Sequence, residues 1–176
     1  MSGHNKWSKI KHKKAATDAQ KSKIFGKYAK LISMESKKSG GDVSAPGLRT
    51  AIEKAKSINM PSDNIDRAVK KCAGGDGANM EEVLYEAYGP GGCGIIIEGL
   101  TDNKNRTGAE IRHIFTKHGL SLATPGAASW NFEKTAEGWE PKTTVKLSED
   151  DEKKLETIIE LLDENDDVQE VYTSAE

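Results

Sequence analysis

The chain has 176 residues, of which 35% are hydrophobic and 31% are charged, and its formal net charge is −2. This length predicts one domain or two small ones, and no apolar run reaches the roughly 18 residues that a membrane-spanning helix needs. The N-terminus lacks the apolar core of a secretory signal, and Cys72 and Cys93 show no metal-binding or disulfide-framework spacing. We therefore expect a cytoplasmic protein with free thiols and no membrane partner.

The net charge hides a strong asymmetry between the two halves of the chain. Residues 1–73 contain 17 Lys and Arg against 6 Asp and Glu, whereas the remaining 103 residues contain 9 against 22. Such a difference predicts that the basic half binds nucleic acid or an anionic surface. We predict two domains, a basic helical domain over 1–76 and an acidic α/β domain over 77–176.

The basic half begins with a segment that cannot neutralise its own charge. Residues 2–14 hold five lysines, two histidines and one tryptophan but no acid, and residues 1–38 hold 11 lysines against only two acids. A solvated surface is the usual explanation for a mixed-charge segment, but here the acids are missing. Lysine-rich segments contact phosphates and position a protein without reading base sequence. The predicted nucleic-acid-binding residues are Lys6, Trp7, Lys9, Lys11, His12, Lys13, Lys14, Lys21, Lys23, Lys27 and Lys30.

Trp7 has two interpretations within this set. Its ring could stack on an unpaired base, or it could anchor the N-terminal segment to the protein's own core. The sequence does not decide between them.

Three helices are predicted in the basic half. The first covers 21–38, with an apolar face at i, i+4, i+7 and i+8, and ends at Gly40 and Gly41. The second covers about 47–58, and the third starts after Pro61 and runs to about residue 72. Their short links predict a small three-helix bundle. The residues predicted to face inward in the second and third helices are Leu48, Ala51, Ile52, Ala55, Ile58, Ile65, Ala68, Val69 and Cys72.

The acidic half opens with a predicted β-hairpin around Gly-Pro-Gly-Gly at 89–92. A polar loop follows, and Thr107 and Glu110 predict a capping box that starts a helix there. That helix should close at Gly119. The loop is a candidate second contact for nucleic acid, through Asn103, Lys104, Asn105 and Arg106.

The remaining elements are two strands, a helix and a last strand. Residues 127–133 and 142–148 are predicted strands joined by a link at 134–141, Ser148 and Asp151 predict a capping box, and 167–173 reads as the last strand. With the first hairpin strand set aside, the order is βαββαβ, which is typical of a ferredoxin-like unit. The predicted fold class is therefore α+β, a three-helix bundle followed by a ferredoxin-like domain with an extra edge strand.

No catalytic constellation is predicted. His113 and His118 are five residues apart, which does not place them on one helical face. No nucleophile, base and orienting group occur at recognisable spacing. We expect no enzymatic activity, no metal and no cofactor.

Four long segments of the sequence resemble the YebC/PmpR family, whose mitochondrial relative is the translational activator of cytochrome c oxidase subunit I. They are GHNKWSKIKHKKAATDAQKSKIF (3–25), NMPSDNIDRAVKK (59–71), YEAYGPGG (85–92) and LTDNKNRTGAEIRHIFTKHG (100–119). The likeness resumes over 143–172. Family members usually carry a further small α/β domain between the strands at 127–133 and 142–148, and here only residues 134–141 join them.

The resemblance implies two functions. One is a cytoplasmic DNA-binding transcriptional regulator; the other is a ribosome-associated factor that contacts ribosomal RNA and assists translation of difficult sequences such as proline runs. A third hypothesis is a small-effector or protein-interaction module in the acidic half, which a pocket lined by Tyr85, Tyr88 and the 101–106 loop would support. The oligomeric state is left open.

Overall fold

A computed structural model describes residues 17–73 and 79–176, and for Cys72 and Ala73 it describes the backbone alone. The chain divides into a helical unit that ends at Glu81 and an α/β unit that begins at Glu82. Among the described residues, no helix combines the length and the apolar composition that crossing a membrane requires.

The first helix, α1, covers Asp18–Ser39 and so begins three residues before the predicted start. Thr17 and Gln20 form a capping box, in which the Thr17 hydroxyl accepts from the Gln20 amide and the Gln20 side chain accepts from the Thr17 amide. At the other end Gly40 adopts the left-handed conformation, with φ of 62°, as its position after the last apolar residue predicts.

Helices α2 (Pro46–Ser57) and α3 (Ser62–Ala73) complete a three-helix bundle. Two serines of α1 fasten it to α3, because the Ser33 and Ser36 hydroxyls donate to the carbonyls of Ala68 and Val69 at 3.0 and 2.8 Å. The bundle and most of its predicted inward residues are confirmed, with Ile52, Ile58 and Val69 only partly buried. The buried core consists of Ile32, Leu48, Ala51, Ala55, Met60, Ile65 and Ala68.

The α/β unit contains a four-stranded sheet and two helices. The strands β1 (Glu81–Tyr88), β2 (Gly94–Thr101), β3 (Leu122–Ala123) and β6 (Val168–Thr173) lie in the order β3-β1-β2-β6. Strand β2 is antiparallel to β6, and β1 is antiparallel to β3. A five-residue link joins β1 to β2, and a link this short makes them a hairpin.

Both helices of the α/β unit pack on one face of the sheet. Helix α4 covers Lys104–Lys117 and α5 covers Glu149–Glu164, and their inner faces share one apolar core with the sheet. Ser148 caps α5 by accepting from the Asp151 amide, which is one half of the predicted capping box, while the Asp151 carboxylate accepts from the Ser148 hydroxyl. The main core residues are Ala87, Ile95, Ile97, Ile111, Phe115, Leu155, Ile158, Leu162 and Val168.

The predicted fold class is confirmed, but the structure corrects the place of the first strand. Instead of forming the sheet edge along its whole length, β1 has β2 on one side, and on its other side the two-residue β3 pairs with Glu86 and Ala87. The tight turn after Tyr88 makes β1 the neighbour of β2, and β6 occupies the other side of β2. Strand β2 is buried along nearly its whole length, as a central strand should be.

The structure also corrects the segment between the helices. The predicted strand at 127–133 is a 3₁₀ turn, Ser129–Asn131, followed by β4 (Phe132–Thr135), and the predicted link forms β5 (Gly138–Pro141), which pairs with β4 in a separate hairpin. Residues 142–148 form no strand beyond one bridge between Val145 and Ala175. The Asn131 side chain takes the place of a strand partner, since its amide exchanges two hydrogen bonds with the Thr143 backbone at 2.8 and 3.1 Å.

Candidate nucleic-acid interface

Four of the predicted phosphate-contacting residues lie on α1. Lys23, Lys27 and Lys30 recur at i, i+4 and i+7 and therefore share one side of the helix. Lys21 and Lys23 are exposed, whereas Lys27 and Lys30 are half-buried, a position in which a lysine stem can pack while its ammonium stays in water. The other seven predicted residues lie outside the described part of the chain: Lys6, Trp7, Lys9, Lys11, His12, Lys13 and Lys14.

The helix dipoles stabilise the charge of the other lysines in the described part of the helical unit. All three helices carry two lysines in their last turn, where the negative end of the dipole stabilises cations. Lys21 and Lys23 lie near the opposite end of α1, where the dipole offers no such stabilisation. The lysines of the last turns are Lys37, Lys38, Lys54, Lys56, Lys70 and Lys71.

The predicted second contact loop is a helix start, not a loop. Asn103 caps α4 by accepting from the Arg106 amide at 3.1 Å, so Lys104, Asn105 and Arg106 form its first turn. The predicted capping box is wrong for the same reason. Thr107 lies inside the helix and is fully buried.

Asn103 and Arg106 stabilise the start of α4 from within the unit. Asn103 serves as the cap, and Arg106 contacts Asp102, Asp167 and Glu110 at 2.9, 2.7 and 3.9 Å. Hydrogen bonds to Asp167 and Asp102 raise the pKa of Arg106 further above its already high value, so the guanidinium is a permanent cation. Lys104 and Asn105 instead line a groove beside β1.

Asp167 organises this region and was not singled out in the sequence. Its side chain is 8% exposed and accepts from Arg106 at 2.7 Å, from the Thr107 hydroxyl at 2.8 Å and from Thr101 at 3.4 Å. A buried carboxylate is tolerated only when paired and hydrogen-bonded. Asp167 follows four other acidic or amide residues at 163–166, so composition alone could not separate it from the surface acids.

Glu86 is a second buried carboxylate. It accepts three backbone hydrogen bonds of 2.8 Å, from the amides of Gly126, Ala128 and Ser129, and so fixes the loop before β4. Burial raises the pKa of Glu86, but these hydrogen bonds outweigh it and hold the pKa below its ordinary value. One feature of the sequence could have indicated this buried role: Glu86 stands between Tyr85 and Ala87 within a predicted strand.

The fixed loop presents an exposed aromatic pair. Trp130 is 66% exposed, and its Nε1 donates to the Tyr88 hydroxyl at 3.3 Å, which in turn donates to the Ala127 carbonyl. A pocket lined by Tyr85, Tyr88 and the 101–106 segment would support an effector or interaction module, and the structure brings only part of that set together. Tyr85 lines the groove with Lys104 and Asn105, while Tyr88 does not.

No metal or thiol chemistry is evident in the described residues. They contain no group of three or more His, Cys, Asp or Glu side chains placed to hold an ion. Cys93 is a free thiol buried in the core, and burial raises its pKa, which makes it a poor nucleophile.

The sequence matches two family models. Residues 5–75 match the TACO1/YebC protein N-terminal domain, and residues 80–138 and 135–175 match the TACO1/YebC second and third domain. The two stretches of the second match meet at the β4–β5 hairpin. The chain therefore belongs to the TACO1/YebC family.

Relatives of known sequence and structure agree with this assignment. A probable transcriptional regulatory protein of Thermoanaerobacter pseudethanolicus is 41% identical, covering 100% of this chain and 97% of the relative over 239 aligned positions. One from Trichlorobacter lovleyi is 50% identical over 98% of this chain and 70% of its own length. The crystal structure of a conserved hypothetical protein from Aquifex aeolicus superposes with a TM-score of 0.81 at 33% identity, covering 93% of both chains.

Proposed function

We propose that the chain is a DNA-binding transcriptional regulator that holds the phosphate backbone through its lysine-rich helical unit. The observation that carries the proposal is the separation of charge between the units. Residues 17–73 contain 12 Lys and Arg against 6 Asp and Glu, and the α/β unit has the opposite balance. The relatives' name, probable transcriptional regulatory protein, supports the same class of function.

The lysines of α1 supply affinity more than sequence specificity. Lysine contacts phosphate as a point charge, whereas base edges are read by Arg, Asn and Gln side chains. Arg49 and Arg67 are the only arginines in residues 1–73, and Arg49 lies 3.9 Å from Glu53 on its own helix. We therefore expect tight, salt-sensitive binding with modest sequence preference.

A ribosome-associated translation factor is the second candidate. A surface on which lysines far outnumber arginines suits irregular RNA as well as duplex DNA. The same lysines would then contact ribosomal RNA. The two candidates share the interface and differ in the nucleic acid that it holds.

Ultraviolet crosslinking in cells, followed by sequencing of the attached nucleic acid, tests both candidates. The test variant replaces Lys21, Lys23, Lys27 and Lys30 with alanine. A matched variant removes the same charge from exposed positions of the α/β unit, by replacing Lys117, Lys146, Lys153 and Lys154 with alanine.

We expect promoter DNA to be enriched with the wild type and the matched variant, and to be lost with the α1 variant. If the wild type instead crosslinks to ribosomal RNA at one discrete site, and the α1 variant does not, the chain is a translation factor and not a transcriptional regulator. Equal recovery from the wild type and the α1 variant would refute a role for the lysines of α1.

A further inference from the structure

A groove runs along an open edge of the sheet. Strand β3 is only two residues long and pairs with Glu86 and Ala87 of β1. Within the described sheet, the preceding residues of β1 have no strand on that side. An unpaired strand edge presents main-chain donors and acceptors that another strand can pair with.

The lining of the groove shows that it follows the strand edge. It contacts four successive residues of β1, from Glu82 to Tyr85. Successive side chains of a strand point to opposite faces of a sheet, so a groove that touches four in a row lies against the edge and not on one face. Its volume of about 440 Å³ falls within the range of ligand sites in proteins.

Helix α4 forms the opposite wall. Lys104, Gly108 and Arg112 lie at i, i+4 and i+8 and therefore on one face of the helix, with a cation one turn on either side of the glycine. A Cβ on Gly108 would lie 3.4 Å from the Tyr85 hydroxyl oxygen. The absence of a side chain at residue 108 therefore keeps the middle of the groove open.

The wall is held in place from the far side of the helix. Asn103 caps the first turn, and Thr107 and Arg106 are bound to the buried Asp167. Lys104 and Asn105 belong to the same turn and line the groove. Neither of them forms the cap or binds Asp167. A preformed wall lowers the entropy cost of binding.

Charge indicates the chemistry of the occupant. Arg112 is exposed and has no carboxylate partner within 4 Å in the described part of the chain, and Lys104 lies at the other end of the same helix face. Glu82 is the one acid among the lining residues, although the unit as a whole is acidic. Opposite charges across an interface favour and orient a partner.

We propose that this groove binds an extended, acidic peptide segment of a partner protein as an added strand on β1. The peptide main chain pairs with the edge at Val83, Leu84 and Tyr85, and alternate side chains enter the space over Gly108. Its acidic groups contact Arg112 and Lys104. Strand addition of this kind takes affinity from main-chain hydrogen bonds and specificity from alternate side chains.

Fluorescence anisotropy with a defined probe tests the proposal on the full chain. The probe is a fluorescein-labelled octapeptide that alternates valine with glutamate, and its control has the same charge but proline in place of two valines. Gly108→Leu fills the groove, Arg112→Glu reverses its charge, and Lys117→Glu makes the same charge change outside the groove on the same helix.

We expect both groove variants to weaken binding of the valine–glutamate peptide at least tenfold, and Lys117→Glu and the α1 lysine variant to leave it unchanged. The amide resonances of Val83, Leu84 and Tyr85 should shift on binding. If Gly108→Leu fails to fold by circular dichroism, Arg112→Glu decides the test.

Four results would overturn the proposal. The first is no binding of the peptide, and the second is equal binding of the proline peptide, which cannot pair as a strand. The third is binding that is lost in the α1 lysine variant but kept in both groove variants, which would assign the peptide to the lysines. Duplex DNA or RNA that shifts the same three amides, when the peptide does not, would likewise give the groove to nucleic acid.

Discussion

Two acidic side chains of the α/β unit are buried and hold other segments in place. Glu86 fixes the loop before β4 through three backbone amides, and Asp167 fixes the first turn of α4 through Arg106 and Thr107. Hydrogen bonds to a charged group are stronger than those between neutral groups. These two residues therefore contribute to stability in a way that the many exposed acids do not.

Replacing Glu86 with glutamine should destabilise the α/β unit by roughly 2–3 kcal/mol. The amide keeps the volume, but it turns an acceptor into a donor that faces backbone N–H groups. Urea unfolding monitored by circular dichroism measures the change. Glu133→Gln, an exposed position on β4, is the control and should have almost no effect.

The same substitution should change the acid stability of the protein. The folded-state pKa of Glu86 lies below its ordinary value of 4.5, so its carboxylate stabilises the fold above about pH 4.5. That contribution is lost as the pH falls through the folded-state pKa. The wild type should therefore lose stability more steeply than Glu86→Gln below pH 4.5, and parallel profiles would contradict this role.

Thr107→Val tests the Asp167 network. The substitution keeps the shape but removes a donor to a buried carboxylate, and we expect a loss of about 1–2 kcal/mol in the free energy of unfolding. Thr116→Val on the same helix is the control, because the Thr116 hydroxyl donates only to its own helix at Arg112 and is exposed. Equal effects of the two substitutions would argue against a special role for Thr107.

At the scale of elements, the β4–β5 hairpin covers the face of the sheet that the helices leave open. Phe132 lies against Gly94, and the Trp139 Nε1 and the Lys134 ammonium approach Glu98 Oε1 at 2.8 and 3.2 Å. Tyr172 reaches the same carboxylate at 3.5 Å. The two strands of the hairpin thus shield part of β2 and β6.

The hairpin turn depends on Gly138. Its φ is 123°, and a Cβ there would lie 2.5 Å from the Tyr172 ring. Gly138→Ala should therefore destabilise the protein by more than the roughly 1–2 kcal/mol that a left-handed alanine costs, because it also displaces Tyr172 from Glu98. Thermal unfolding measures the loss.

Gly119→Ala separates the two causes. Gly119 also has a positive φ, of 71°, but no atom of the described residues lies within 4 Å of the position that an alanine methyl group would take there. Gly119→Ala should therefore lower the free energy of unfolding by the backbone cost alone. If Gly138→Ala destabilises no more than Gly119→Ala, the contact with Tyr172 is unimportant.

The elements that could be predicted from the sequence are those with strong local signals. The periodicity of α1 and α5, the glycine cap at the end of α1, the Ser148 cap of α5 and the Gly-Pro-Gly-Gly hairpin are local, and the structure confirms them. The central place of β1, the hairpin over 132–141 and the pairing of Asn131 with Thr143 depend on contacts between distant segments. The error at Thr107 has the same origin, since its hydroxyl binds Asp167, 60 residues away.

At the scale of the whole molecule, the division of charge was readable from composition, but the groove was not. The groove lies between β1 and α4, which follows β1 in the chain after the whole of β2, and it runs along residues of β1 with which β3 does not pair. Tyr85 and the polar segment after β2, which the third hypothesis requires to share a pocket with Tyr88, both line the groove, whereas Tyr88 belongs to the other face with Trp130. Seven of the eleven predicted phosphate-contacting residues precede Thr17, and the contacts of all eleven stay predictions.

The salt dependence of DNA binding tests the central claim most directly. Neutralising each phosphate contact contributes a slope of about −0.9 to log K against log salt. Titrating a duplex of about 20 bp by anisotropy between about 50 and 200 mM salt, we predict roughly a 10⁴-fold loss of affinity for the wild type, as about eight phosphate contacts require. The slope should be shallower by about 3–4 when Lys21, Lys23, Lys27 and Lys30 are alanine, and likewise when Lys9, Lys11, Lys13 and Lys14 are alanine. It should be unchanged in the matched variant of the α/β unit, and an unchanged slope in both lysine variants would contradict phosphate binding by the basic half.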